Sequence, residues 1–383
     1  MTDSNRNRPL LQLDALGQSA WLDYIRRGIM EDGELERMIA EDAVRGVTSN
    51  PAIFEQAIGR SDDYDDDLAL LAAEGAEAME AYEELAIDDI QRAADLFRPI
   101  FEESGGADGF VSLEVSPELA HDTEGTLAEA RRLWATVDRP NVMIKIPGTA
   151  EGLPALEEAL VEGINVNVTL LFSLEGYEEV MNAYLRALER RAEAGLELAG
   201  IASVASFFVS RVDTAVDAEL ERRADAATDE TERARLLSMR GAAAVANAKL
   251  AYRRFREVFA GRRFAPLQAG GARVQRPLWA STSTKNPEYR DVVYVEELIG
   301  PDTVNTMPLQ TLQAFANHGV AARTVDRDVE EAEAHLERLR EVGIDLRDVT
   351  RRLQIEGVEK FVLPFREMLR AVDAKLSEIA ARG

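Results

Sequence analysis

The chain has 383 residues, 46% of them hydrophobic, and carries 70 acidic against 44 basic side chains for a net charge of −26. That surface disfavours nucleic acid or an anionic membrane as a partner, since both reward positive charge. The absence of cysteine excludes disulfides and thiolate chemistry, and His121, His318 and His335 stand at no metal-ligand spacing.

The start, Met1 to Pro9, is polar and lacks the apolar stretch of a signal peptide. Downstream, no apolar run reaches membrane-spanning length, so a cytoplasmic protein is expected. Strands are predicted at 10–14, 46–50, 109–116, 142–147, 164–172, 201–209, 277–282 and 304–307, with helical periodicity over 79–101, 123–137 and 174–194 among them. Eight strands in this alternation point to an α/β chain folded as a single (β/α)8 TIM-type barrel. An open doubly wound sheet is the alternative, but no Gly-x-Gly-x-x-Gly turn follows the first strand. A barrel takes about 250 residues. The surplus falls in a charged helical insertion at 217–264, after the sixth strand, and in a helical tail at 326–383, within one domain spanning 1–383. The aspartates Asp62, Asp63, Asp65, Asp66 and Asp67 do not follow a calcium-loop pattern and read as a solvated helix N-terminus.

Side chains alternate faces along a strand. In 164–172, Ile164, Val166, Val168 and Leu170 share the face that must meet the helices, which turns Asn165, Asn167 and Thr169 into the lumen. The same parity turns inward Gln12 with Asp14, Ser112 with Glu114, Met143 with Lys145, Ser206 with Phe208, and Trp279 with Ser281 and Ser283. A structural barrel fills its lumen with branched apolar residues. A lysine, two carboxylates, amides and hydroxyls there suit a polyhydroxylated ligand better than an internal polar network repeated on strand after strand.

Lys145 is one of five lysines beside 39 arginines, set in the apolar run Val142-Met143-Ile144-Lys145-Ile146. An ammonium in such a place has to be paired or neutral. The segment alone fits a structural lysine with a buried carboxylate partner as well as a Schiff-base lysine, whose neutral amine attacks a carbonyl. Carbon–carbon cleavage beside an imine needs a base for a substrate hydroxyl, a task for Asp14 or Glu114. Charged neighbours favour the ammonium, so Glu114 and Lys145 are expected apart, with a water between them. Arg211 and Lys285, just past the sixth and seventh strands, form the expected anion site, because loops at that edge of a barrel commonly bind phosphate.

The runs Gly46-Val47-Thr48-Ser49-Asn50-Pro51-Ala52-Ile53-Phe54, the Lys145 strand, Asn165-Val166-Asn167-Val168-Thr169-Leu170-Leu171-Phe172-Ser173 and Ser206-Phe207-Phe208-Val209-Ser210-Arg211 together resemble transaldolase. The length and the run Trp279-Ala280-Ser281-Thr282-Ser283-Thr284-Lys285-Asn286-Pro287 are similar to the longer bacterial subfamily, which also occurs fused to glucose-6-phosphate isomerase. The resemblance implies Lys145 as the Schiff-base lysine, Asp14 as the acid/base of cleavage, and Glu114 and Thr169 as holders of the catalytic water. It implies Asn50, Asn167, Ser206 and Ser281 as contacts to sugar hydroxyls and Arg211 as a phosphate ligand. Shorter transaldolases carry a second arginine where Ser283 stands, and Lys285 is the replacement for its charge.

The implied reaction moves a dihydroxyacetone unit from sedoheptulose 7-phosphate or fructose 6-phosphate to glyceraldehyde 3-phosphate or erythrose 4-phosphate, in the non-oxidative pentose phosphate pathway. It needs no cofactor or metal, because the lysine is the electron sink. Fructose-6-phosphate aldolases, which release free dihydroxyacetone, are much shorter and typically carry Gln and Tyr where this chain has Glu114 and the substrate-binding Phe208. A non-catalytic sugar-phosphate-binding barrel is the reading from another class, and the presence of Lys145 and Asp14 argues against it. Small sugar phosphates are the expected partners, with neither nucleic acid nor membrane, and the residues leave a homo-oligomer as open as a monomer.

Overall fold

The computed structural model describes residues 8–382, so most of the polar start lies outside the described residues. Eight parallel strands close into a barrel in chain order: β1 (Gln18–Leu22), β2 (Val44–Thr48), β3 (Phe110–Glu114), β4 (Val142–Pro147), β5 (Val166–Leu171), β6 (Ser203–Phe208), β7 (Arg276–Ala280) and β8 (Thr303–Met307). Helices such as Thr123–Val137 and Leu174–Glu193 cover the outside, as their periodicity predicts. No helix among the described residues is long and apolar enough to cross a membrane.

Seven predicted strands overlap observed ones; the first does not. Residues Pro9–Ala15 are a helix, with Pro9 in its first turn and Leu10 and Leu13 buried on one side. Proline suits that position because its missing N–H would be unpaired anyway. The true β1 follows the left-handed Gly17 (φ +83°), and its order Gln18-Ser19-Ala20-Trp21-Leu22, polar residues adjacent, shows no alternation. Asp14 is therefore half exposed on a helix at the N-terminal end of the barrel, 3.4 Å from Arg45, and not in the lumen.

Register carries the inward face around the sheet. Trp21 lies level with Gly46 and Thr306, Thr48 with Ser112, Glu114 with Lys145, and Lys145 with Asn167. Trp21 fills the lumen above the floor, and a Cβ on Gly46 would stand 2.7 Å from its ring. Below, Asp108 accepts from Trp21 Nε1 at 2.8 Å and from Ser19, while Arg276 donates to Ser19 at 2.8 Å. This satisfied network fills the floor, so the reactive groups stand at the opposite, C-terminal end of the strands.

Trp279 corrects a second expectation. It is level with Phe207, packs edge-on against that ring at 6.2 Å, and so lies behind the sheet. Ser281 still reaches the lumen because its backbone is left-handed (φ +54°), which breaks the alternation. Leu170 at the end of β5 is left-handed too (φ +62°). Such conformations cost on the order of 1–3 kcal/mol for a residue with a Cβ, and they cluster at functional sites.

The stretch 217–264 begins inside helix Ser210–Ala226 and continues through Glu230–Leu237 and Ala243–Phe259. Asp213 accepts from Ala244 N at 2.7 Å and from the Tyr294 hydroxyl at 2.8 Å. Asp217 likewise accepts from Gly241 N and the Tyr289 hydroxyl. These carboxylates clamp the segment after β7 to the added helices. Burial pushes Asp213 up to about 6.

The tail forms helices Val329–Glu341 and Leu346–Arg382. The latter, about 55 Å long at 1.5 Å per residue, buries Phe361, Phe365, Met368, Val372 and Leu376 at helical spacing and packs over helices Pro51–Arg60, Asp65–Glu74 and Ala78–Glu103. Each such side chain contributes about 1.5–3 kcal/mol by leaving water. The aspartate cluster is only partly solvated. Asp65, Asp66 and Asp67 open helix Asp65–Glu74. Asp63, however, holds Arg26 at 2.6 Å, and Asp67 holds the buried Arg27 together with Asp88 and Asp89.

Candidate active site

A cavity of about 220 Å³ opens at the C-terminal ends of the strands, lined by Asp23, Thr48, Asn50, Lys145, Thr169, Ser206, Phe208, Arg211, Ser281, Ser283, Lys285, Thr306, Lys360 and Phe361, among others. Lys145, Lys285 and Lys360, three of the chain's five lysines, meet here. Positive groups are thus gathered at one mouth of a strongly acidic protein, as an anionic substrate requires.

Lys145 rises from β4 with its side chain 7% exposed. Its Nζ donates to Ser49 O at 2.8 Å and stands 3.5 Å from Glu114 Oε2. That gap is too long for a tight ion pair and too short to hold the expected intervening water. Glu114 is pushed up to about 7, chiefly by burial, with Asp23 adding to the rise and Lys145 opposing it. A crevice of about 20 Å³ lies behind this carboxylate, bordered by Ser49, Tyr82 and Glu129, with room for about one water.

Asp23 sits one residue past β1, on the inward side. Thr48 Oγ1 donates to its Oδ1 at 2.7 Å and stands 2.6 Å from Thr306 Oγ1. Burial raises the Asp23 carboxyl above its ordinary value, against the Thr48 hydrogen bond and the charges of Lys145 and Lys285. Asp23 thus occupies the place beside the lysine that the sequence reading gave to Asp14, nine residues upstream.

Of the other expected residues, Asn50 caps helix Pro51–Arg60, accepting from Ile53 N at 3.1 Å, and borders the cavity. Asn167 is fully buried beneath it, donating to Ser112 Oγ at 3.1 Å and accepting from Ser206 Oγ at 2.7 Å. It braces Ser206, which does line the cavity. Asn165 instead ties backbone together near the floor, donating to Pro140 O and Val142 O and accepting from Ala202 N. The Thr169 hydroxyl has no hydrogen-bond partner among the described residues. Ser281 is 3.0 Å from the Ser210 hydroxyl.

Arg211 extends over the Phe208 ring, 5.2 Å from its centroid, and its buried Nη1 has no hydrogen-bond partner among the described residues. Lys285 donates to Ser283 Oγ at 2.7 Å. Burial lowers both cations from their ordinary values, and Arg211 further lowers Lys285 by repulsion. Two partly dehydrated cations that repel each other at one mouth fit a shared dianion.

Sequence reasoning missed Asp23, Thr48, Thr306, Lys360 and Phe361. Once β1 is placed at Gln18–Leu22, parity puts Trp21 and Asp23 on one face. Lys360, 3.2 Å from Glu356, and Phe361 belong to a helix more than 200 residues downstream of Lys145, and no local pattern points them at the barrel.

The family model described as Transaldolase/Fructose-6-phosphate aldolase matches residues 20–372. Among curated proteins, the chain is 52% identical over 357 residues to a transaldolase of Thiobacillus denitrificans, covering 93% of this chain and 97% of that one. It is 51% identical over 370 residues to a transaldolase of Thermobifida fusca, covering 96% and 98%. Transaldolase 1 of Streptomyces avermitilis is 49% identical over 384 residues, the full length of both. A buried lysine 3.5 Å from Glu114 and in one cavity with Asp23, Arg211 and Lys285, a closed eight-stranded barrel and a match over nearly the whole length converge: the chain belongs to the transaldolase/fructose-6-phosphate aldolase family.

Proposed function

We propose that this site carries out the transaldolase reaction through an imine on Lys145, with Asp23 and not Asp14 as the acid/base of cleavage. The observation that carries this reading is the placement of a nearly enclosed Lys145 within reach of Glu114 and in one cavity with Asp23 and two cations. Lys145 adds to the ketose carbonyl, and loss of water gives the imine. Asp23 takes the proton of the hydroxyl on the far side of the scissile bond, and the electrons flow into the imine. The aldose phosphate departs, leaving a three-carbon enamine on Lys145. An acceptor aldehyde then retraces these steps. Glu114 and Thr169 hold the water that enters and leaves the carbinolamine, a role that suits a carboxyl near neutrality and a hydroxyl with no hydrogen-bond partner among the described residues. Ser206, Ser281 and Asn50 border the sugar, and Arg211 with Lys285 take the phosphate. Substrates of this kind are small metabolites, and we infer a cytoplasmic site of action.

The test is product analysis with fructose 6-phosphate and erythrose 4-phosphate. Sedoheptulose 7-phosphate should form with little free dihydroxyacetone; the reverse would favour an aldolase. Arg211→Ala should raise KM for phosphorylated ketoses about tenfold to a hundredfold, the worth of charge-assisted hydrogen bonds, and leave unphosphorylated fructose nearly unaffected. An unchanged KM would remove Arg211 from the phosphate site.

Glu114 sets a pH dependence. Its value of about 7 lies above the ordinary 4.5, so the folded protein keeps a proton that the unfolded chain releases between the two. That contribution favours the folded state at low pH and is lost as pH rises through about 7. In catalysis the ionised form is the one that can deprotonate a held water, so kcat/KM should climb through this range. Glu114→Gln should lack that limb; an unaltered profile would assign the ionisation elsewhere.

A further inference from the structure

The cavity lining is mixed. Asp23, Thr48, Ser281, Arg211 and Lys285 are among its polar residues. Among its aromatic ones, Phe361 of helix Leu346–Arg382 stands 5.9 Å from Lys145 Nζ, measured to the ring centroid. Its ring meets Phe208 edge-on at 6.5 Å, and Phe208 leans on Phe172 at 5.2 Å. The helix holds Phe361 from both directions. Gln354 donates to Gly148 O at 2.7 Å, just past the lysine strand, and Gly357 lets the helix close on Leu170, whose side chain would stand 3.0 Å from an added Cβ. Beyond Phe361, Arg366 pairs with Glu118 at 2.7 Å and Phe365 packs edge-on against Tyr82. Leu170, left-handed in its backbone and next to Thr169, thus brings the end of β5 against helix Leu346–Arg382.

We propose that Phe361 is a specificity-determining residue that screens the Lys145-bound enamine from water and so favours transfer over release. The proposal rests on the transaldolase reading. After cleavage the enamine carbon has two fates. It can bond to the acceptor's aldehyde carbon, the aldehyde oxygen taking a proton from the Asp23 carboxyl. Or it can take a proton from water, the Asp23 carboxyl neutralising the hydroxide left behind, after which water adds to the iminium carbon, the carbon–nitrogen bond breaks, and dihydroxyacetone leaves with the amine restored. Both routes consume one water at the imine; they differ in whether the enamine carbon meets an aldehyde or a proton. A fixed aromatic ring over the lysine keeps water from that carbon while the polar residues of the lining take up the acceptor.

The experiment compares the intact protein with Phe361→Ala and Phe361→Leu, supplied with fructose 6-phosphate and erythrose 4-phosphate, and reads sedoheptulose 7-phosphate against free dihydroxyacetone. Borohydride trapping on Lys145 is run on each. Phe361→Ala should raise the release-to-transfer ratio about tenfold, a difference of about 1.4 kcal/mol between two barriers. Phe361→Leu, which still covers the lysine and guards against a folding failure of the alanine variant, should stay near the wild-type ratio. Variants that trap the adduct yet keep the wild-type ratio, or lose both products in proportion, overturn the proposal and leave the transaldolase reading intact. Absence of an adduct in the wild type overturns both.

Discussion

Lys145→Ala abolishes turnover, lowering kcat by about 10⁴-fold or more, because the other two amines of the cavity are held elsewhere, Lys285 by Ser283 and Lys360 by Glu356, and do not replace the imine that stores the electrons of the broken bond. The fold should survive. The lost ammonium leaves Ser49 O and the Glu114 carboxylate without their cation, but Glu114 is already pushed up to about 7 and can take a proton instead. Circular dichroism and thermal melting of the variant should therefore resemble the wild type while transfer is lost. Appreciable residual transfer by a folded variant would sink the imine mechanism.

Asp23→Asn is expected to lower kcat by about 10²- to 10⁴-fold, the range for a positioned acid/base, whereas Asp14→Asn should leave it within about twofold. Both changes remove one negative charge, so a long-range electrostatic cause would affect them alike. Only location separates them: Asp23 shares the cavity with Lys145 and is oriented by Thr48, while Asp14 faces solvent beside Arg45. An exposed ion pair of that kind is worth about 0–1 kcal/mol, so the Asp14 variant should also melt near the wild-type temperature. Steady-state kinetics on both variants decides the matter; the opposite ranking would return the role to Asp14.

These two aspartates show where the sequence was legible and where it was not. Strands β3 to β6 announce themselves by period-two patterning, and the parity of Glu114, Lys145, Thr169 and Ser206 follows from it. Strand β1, Gln18-Ser19-Ala20-Trp21-Leu22, sets its polar residues side by side and carries no polar–apolar alternation, while Leu11-Gln12-Leu13-Asp14 imitates one by accident on a helix. Trp279 and Ser281 were mispaired because one left-handed residue resets the face, and a serine gives no warning of positive φ. The last helix shows a third limit. Its apolar stripe says that it packs, but only the closed chain says that it packs over the lysine.

The most direct measurement is borohydride trapping in the presence of fructose 6-phosphate, followed by intact mass and peptide mapping. A single three-carbon adduct on the peptide that contains Lys145 is the expected result, and it would establish both the imine and the cleavage. No adduct, or an adduct confined to any of the other four lysines, Lys285 and Lys360 of the same cavity included, on protein shown to be folded would contradict the assignment of Lys145 as the electron sink.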